Sequence, residues 1–317
     1  MKQFLAIFNK VGGMEILRQY WRGHVLLFAL VQTVLLGFKK KSLEIVRLAV
    51  NNRILCKLRK KNRKFLASYE APALPCARSN KVWICWLQGM ENAPELVQRC
   101  YRSLQENLSD REIVVLTEEN YKNYVNLPAH IIRKIESGVI TRTHFSDLLR
   151  LELLLRHGGT WIDATVFCSG GQIPGYMLDS DLFMFQKLKP GLDGSATCIS
   201  SWFITACTNH PILALTRDLL YRYWEKHNSL VDYFLIHDCF QLAIEKYPQL
   251  WKAVVPFPNS VPHILLLRLF EPFDAAMWDA VCAQTPFHKL TYKFKEDDGL
   301  REGTYYQFLM DDGAKGA

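Results

Sequence analysis

Residues 145–165 read FSDLLRLELLLRHGGTWIDAT, and the periodicity changes part-way along. Leu148, Leu151, Leu154 and Leu155 recur at three- and four-residue spacing, the buried stripe of an amphipathic helix. A helix is predicted over residues 143–156. Gly158-Gly159 stops it and lets the backbone turn tightly. Residues 160–166 (TWIDATV) then read as a strand, being short, apolar and β-branched. Asp163 interrupts that apolar run, and a carboxylate there needs a partner, because burying it unpaired is costly. A hard divalent cation bound with a diphosphate is one such partner. Ser146 and Asp147 stand near the start of the helix, where the dipole favours negative charge. Arg150 follows Asp147 by three residues and can share its face.

The pattern around this stretch is strand–helix repetition. Residues 81–87 (KVWICWL) form an aromatic-rich buried strand that Gln88-Gly89 ends, and Pro94 opens a helix running to Leu104. EIVVL (112–116) is a second strand, residues 120–125 and 130–136 are short helical pieces, and DLFMFQ (181–186) is another strand. Such alternation predicts an α/β fold with a mainly parallel sheet flanked by helices. Ligands of such sheets bind beyond the carboxyl ends of the strands, here after Leu87 and around Asp163. The chain contains no P-loop, GxGxxG, HExxH or GxSxG motif, which sets aside several common enzyme classes.

The charge is uneven. The 317 residues carry a net +8, yet residues 1–70 alone hold 15 Lys/Arg against 3 Asp/Glu. The remainder is mildly acidic, so a diffuse nucleic-acid-binding surface is not expected. The apolar run 25–38 (VLLFALVQTVLLGF) is shorter than the roughly 20 residues a spanning helix needs, and Lys39-Lys40-Lys41 follows it in place of a cleavage site. Residues 42–64 repeat Leu43, Val46, Val50 and Ile54 at helical spacing among many basic residues. This is the pattern of a helical segment lying on an anionic membrane surface; a helical hairpin packed on the main domain is the alternative. The predicted organisation is a basic, apolar helical segment (1–70), a proline-containing linker (71–80) and one domain (81–317). The nine cysteines are odd in number and lack a CxxC pair, which reads as reduced core thiols in a cytosolic protein.

The 145–165 stretch resembles the central motif of the capsular polysaccharide synthesis proteins, relatives of the DXD-containing sugar transferases with a GT-A fold. The resemblance extends to WICWLQGMENAPELVQRCYRSL upstream, and to SWFITACTNHPIL, DYFLIHD and PFHKLTYK downstream, over roughly residues 80–295. It implies a GT-A-like (Rossmann-like) bacterial glycosyltransferase at the cytoplasmic face of the plasma membrane. Such an enzyme moves a sugar, with retention, from a nucleotide-diphosphate donor such as a UDP-sugar to a lipid-linked or growing saccharide.

The resemblance also implies roles. Trp86, Gln88, Gly89 and Gly159 would border the nucleotide, and Asp147 and Arg150 would contact the donor sugar or hold the motif. Asp163 takes the first position of the Asp-X-Asp motif and would bind Mn²⁺ or Mg²⁺, the diphosphate or the sugar. Thr165 stands where a second Asp is usual, which weakens any metal site. His288 would supply a late metal contact, and Lys289 and Lys293 would neutralise the diphosphate. His237 and Asp238 would face the acceptor or sugar. Each has a plainer reading: Asp147–Arg150 as a structural ion pair, Trp86 as core, His288 as a hydrogen-bonded interior histidine, Asp238 as an ordinary helix N-terminal residue. Two other functions compete. The missing second Asp fits a non-catalytic membrane-surface adaptor with a degenerate transferase fold. A metal-dependent hydrolase using His237, Asp238, His263 and His288 is weaker, since their spacing matches no metal-ligand motif.

Overall fold

The computed structural model describes residues 13–188 and 197–311 of the chain. Five strands make the main sheet: β1 (Lys81–Cys85), β2 (Glu112–Leu116), β3 (Gly159–Ile162), β5 (Leu182–Gln186) and β6 (Ile199–Ala206), in the order β2-β1-β3-β6-β5. Strands β1, β2 and β3 are parallel, and only β6 runs against the rest. The mainly parallel α/β sheet expected from the sequence is therefore present. The antiparallel β6, which sequence reasoning did not assign as a strand, sits between β3 and β5. A separate ribbon pairs β4 (Val166–Cys168) with β7 (Phe287–Lys289).

Side-chain alternation along β1 explains why helices cover both faces. Val82 and Ile84 point to the layer holding α4 (Glu95–Asn107), while Trp83 points to the opposite layer. That second layer holds α6 (Arg142–His157), α7 (Pro211–Lys226) and α8 (Leu235–Lys246). Helix α5 (Ala129–Glu136) adds Ile131 to the same core. The leucine stripe of α6 is fully buried, its first turn is capped by Thr141 accepting from the His144 N–H, and Gly158 ends it with φ 67°.

The N-terminal segment forms helices α1 (Gly13–Arg22), α2 (Leu26–Leu36) and α3 (Lys40–Ser68). The helical packing on the main domain, the alternative reading of this segment, is what the structure shows. One face packs: Val25, Ala29, Val46, Val50 and Ile54 join the core cluster of α7 and α8. Arg59 bonds both carboxylate oxygens of Glu245 at 2.8 and 2.7 Å, and Tyr69 donates to Asp218 at 2.7 Å. The other face of α2 is bare, with Leu27, Val34 and Leu35 more than 70% exposed. No helix among the described residues is long and apolar enough to cross a membrane.

Two local expectations are corrected. The strand predicted over 160–166 is broken: β3 stops at Ile162, and residues 163–165 turn the chain into β4. The Asp163 N–H donates to the Trp202 carbonyl at 2.8 Å and the Val166 N–H returns to the Asp163 carbonyl at 3.0 Å, closing the turn. The cysteines are not all reduced, since Cys76 and Cys207 form a disulfide across 131 residues of sequence. The Thr208 N–H donates to the Ala77 carbonyl and the Ala77 N–H to the Thr208 hydroxyl, which brings the two segments together. The reduced-thiol argument for a cytosolic compartment loses its premise for this pair.

Candidate functional site

The carboxyl ends of β1 and β3, the start of α6 and the end of β7 enclose an open cavity of about 500 Å³. Its floor is Asp163, placed there by the turn that ends β3. Trp161 Nε1 donates to Asp163 Oδ1 at 3.0 Å, and Arg150 lies 3.8 Å from the same oxygen. Lys289 reaches in from β7, 3.7 Å from Asp163 Oδ2, and donates to the Thr165 hydroxyl. Trp86, Gln88, Thr165 and Lys293 also line the cavity, as the sequence led us to expect.

Arg150 is the best-anchored side chain of the site. Its guanidinium donates to the Ser201 carbonyl at 2.6 Å and to the Ser146 carbonyl and hydroxyl at 3.2 Å each. It also lies 4.9 Å from the Trp161 ring centre. Asp147 meets Arg150 at 3.2 Å and His144 at 3.3 Å and is 7% exposed. Asp147 does not line the cavity, so its geometry is that of the structural ion pair, holding the arginine from behind.

The two glycines assigned by resemblance are not among the cavity lining. Gly159 sits at the opposite end of β3 from Asp163. Its φ is +94°, and a Cβ there would come within 2.3 Å of the Lys81 carbonyl oxygen, so its role is close strand packing. Gly89, with φ +86°, is buried in the turn after β1 and shapes that turn. His288 is not brought to Asp163. Successive residues of a strand face opposite ways; Lys289 takes the cavity side, and His288 is fully buried on the other, 3.0 Å from the Ser169 hydroxyl. Burial pushes its imidazole down to about 4. The metal pair expected from the sequence, Asp163 with His288, is thus separated. Among the described residues no three His, Cys, Asp or Glu side chains converge as metal ligands.

The model of the capsular polysaccharide synthesis protein family matches residues 36–309. The chain belongs to that family. No curated protein matches it. Among solved structures, the PaToxG glycosyltransferase is a remote likeness: 13% identity, TM-score 0.38, covering 84% of this chain and 96% of that one.

For a capsular polysaccharide synthesis protein, the family-derived His237 and Asp238 deserve a separate description. Both lie in the first turn of α8 and are buried. Burial lowers His237 to about 3 and raises Asp238 well above the usual carboxylate range, with Asp232 raising it further. Neither lines the cavity. His237 packs edge-on against Phe234 and Phe234 against Tyr233, which does line it and whose ring also packs edge-on against His144. Tyr233, Arg142 and Tyr292 are cavity residues that sequence reasoning missed. Tyr292 packs edge-on against Trp86. Tyr292 and Tyr233 carried a local signal, lying inside the quoted PFHKLTYK and DYFLIHD segments; Arg142 did not.

Proposed function

We propose that this protein is a glycosyltransferase of surface-polysaccharide assembly, taking a nucleotide-diphosphate sugar, a UDP-sugar in the simplest case, and a saccharide acceptor on a lipid carrier. The observation that carries the proposal is the cavity at the carboxyl ends of β1 and β3, lined by Arg142, Arg150, Lys289 and Lys293, with Arg150 and Lys289 flanking Asp163. Such a cleft suits a diphosphate, whose negative charge grows as the sugar leaves. The bond from the anomeric carbon to the terminal phosphate oxygen breaks, and its electron pair goes to the diphosphate. The acceptor hydroxyl oxygen forms the new bond, and its proton leaves with the diphosphate. Retention by attack and departure on one face of the sugar fits a site whose one carboxylate, among the described lining residues, is held between two cations.

Trp86 and Tyr292 at one wall give the base and ribose an aromatic border. The exposed face of α2 and Lys39-Lys40-Lys41 would hold the cavity near a membrane where lipid-linked acceptors reside. The adaptor alternative rests on Thr165 standing in place of a second Asp; that hydroxyl accepts from Lys289 in the cavity, and turnover by the purified protein decides between the two readings. The test is hydrolysis or transfer by the purified protein across a panel of nucleotide sugars, read by release of nucleoside diphosphate. No turnover of any donor, with membrane extract supplied as acceptor, would remove the reading.

A further inference from the structure

The charge lining the cavity is lopsided. Its lining holds four cations, Arg142, Arg150, Lys289 and Lys293, and a single carboxylate, Asp163; Arg142 is paired with Glu118 at 2.8 Å, outside the lining, and Arg150 and Lys289 are the two that approach Asp163. A divalent cation needs several oxygen ligands, preferably anionic. Here each oxygen of Asp163 already looks at a positive group, Arg150 at 3.8 Å from Oδ1 and Lys289 at 3.7 Å from Oδ2. The Thr165 hydroxyl, at the position where a second carboxylate would complete a cation site, accepts from Lys289. Asp147 is turned to Arg150 and His144, and His288 to Ser169. Among the described residues, these groups are paired with cations or face away.

We infer that this site handles its donor without a divalent cation, and that the Lys289 ammonium, with Arg150, takes the diphosphate charge a metal would otherwise take. The inference rests on the nucleotide-sugar reading above and specifies its chemistry. Asp163 and Thr165 position the ammonium, and two strands fix its place: β7 pairs Lys289 with Val166, and the Leu290 N–H donates to the Thr165 carbonyl at 2.9 Å. Arg150 is held still by its three backbone and hydroxyl contacts. As the anomeric bond breaks and its electrons pass to the phosphate oxygen, both cations are already in position, so little reorganisation is needed. The lysine can be replaced only by another cation.

Calorimetric titration of UDP, GDP, ADP and CDP into the full chain, once in EDTA and once in Mn²⁺, tests this. At least one nucleotide should bind with the same affinity in both buffers. Lys289→Met should weaken that binding by about tenfold or more, the worth of a charge-assisted hydrogen bond, and Lys289→Arg should recover most of it. Lys289 is partly exposed, and circular dichroism will show that the variants stay folded. Binding seen only in Mn²⁺, or binding in EDTA that Lys289→Met leaves unchanged, overturns the inference while leaving the transferase reading in place. A panel that binds in neither buffer overturns both.

Discussion

Lys289 stands 3.7 Å from the Asp163 Oδ2, although 126 positions separate the two in sequence. The contact ties the last strand of the fold to the turn that ends β3 and sets the electrostatics of the cavity. Asp163 is about a third exposed, so it can meet a ligand while holding two cations in place.

Removing that carboxylate should cripple turnover without unfolding the protein. Asp163→Asn keeps the shape and an acceptor for Trp161, yet loses the charge that orders Arg150 and Lys289. The expected loss is about 100-fold or more in kcat, the scale of one missing electrostatic contact in a transition state. Release of nucleoside diphosphate from the best donor measures it. Activity within twofold of the parent would move the reacting centre away from Asp163.

Arg150 and Asp147 should behave as a unit in stability. Arg150→Ala leaves Asp147 buried with only His144 beside it, and frees the Ser201 carbonyl. Breaking one partner of a buried pair costs about 3–5 kcal/mol. Arg150→Lys should recover little, because an ammonium cannot reach Ser201, Ser146 and Asp147 together. Urea unfolding of both variants gives the answer, and equal midpoints for Arg150→Lys and the parent would contradict it.

Gly159→Ala is expected to cost about 2 kcal/mol or more, because the backbone is left-handed and the new methyl meets the Lys81 carbonyl at 2.3 Å. Gly171 is the control. Its φ is also positive, at +78°, but a Cβ there meets nothing within 4 Å, so Gly171→Ala should cost only about 1 kcal/mol of backbone strain. Thermal unfolding of the two variants side by side separates packing from strain; equal losses would deny Gly159 its packing role.

The helix stripe of α6, the double glycine after it and the apolar strands were legible because each is a local pattern. What the sequence could not show depends on register and on distant pairings. His288 and Lys289 are neighbours with similar chemistry on paper, and only the pairing of β7 with β4 decides that the lysine enters the cavity. ISSWFITA is apolar enough for a strand, but its insertion between β3 and β5 is a pairing with Leu182–Gln186 and Gly159–Ile162, not a local signal. Arg142 and Tyr233 meet in the cavity from positions far apart in sequence, and Cys76 finds Cys207 in the same way.

The interior histidines predict an acid-side loss of stability. Burial lowers His210 and His288 to about 4 and His237 to about 3, from an ordinary 6.5. Below 6.5 the unfolded chain takes up these protons first, so their stabilising contribution is complete above that pH and is lost as pH falls toward 4. Asp232 and Asp238, raised by burial, act in the opposite sense, because the folded state takes their protons more readily. Comparison with His288→Gln isolates one group: the parent should lose up to about 3 kcal/mol more than the variant between pH 6.5 and 4. Denaturant midpoints across that range provide the measurement, and parallel curves would show that His288 is protonated in the folded protein.

The bare face of α2 should carry membrane attachment, and the way to test it follows from the packing of α3. Deleting residues 1–70 would strip Val46, Val50 and Ile54 from the core cluster they share with α7 and α8, so a truncated chain would misfold and report nothing about lipid. Substitutions on the solvent side avoid this. Leu27, Val34 and Leu35 are exposed, and replacing all three with Ser removes apolar surface without touching the core. Lys39, Lys40 and Lys41 are also exposed; at about 1 kcal/mol per lysine near an anionic surface, changing all three to Gln should weaken binding to phosphatidylserine vesicles on the order of 100-fold. The serine variant should lose binding at any salt concentration, whereas the glutamine variant should resemble the parent measured at high salt, where charge is screened. Sedimentation with vesicles of graded phosphatidylserine content distinguishes the two contributions. Parent protein that sediments equally with neutral vesicles would assign the attachment to the apolar face alone, and parent protein that sediments with neither would remove the membrane from the account of this helix.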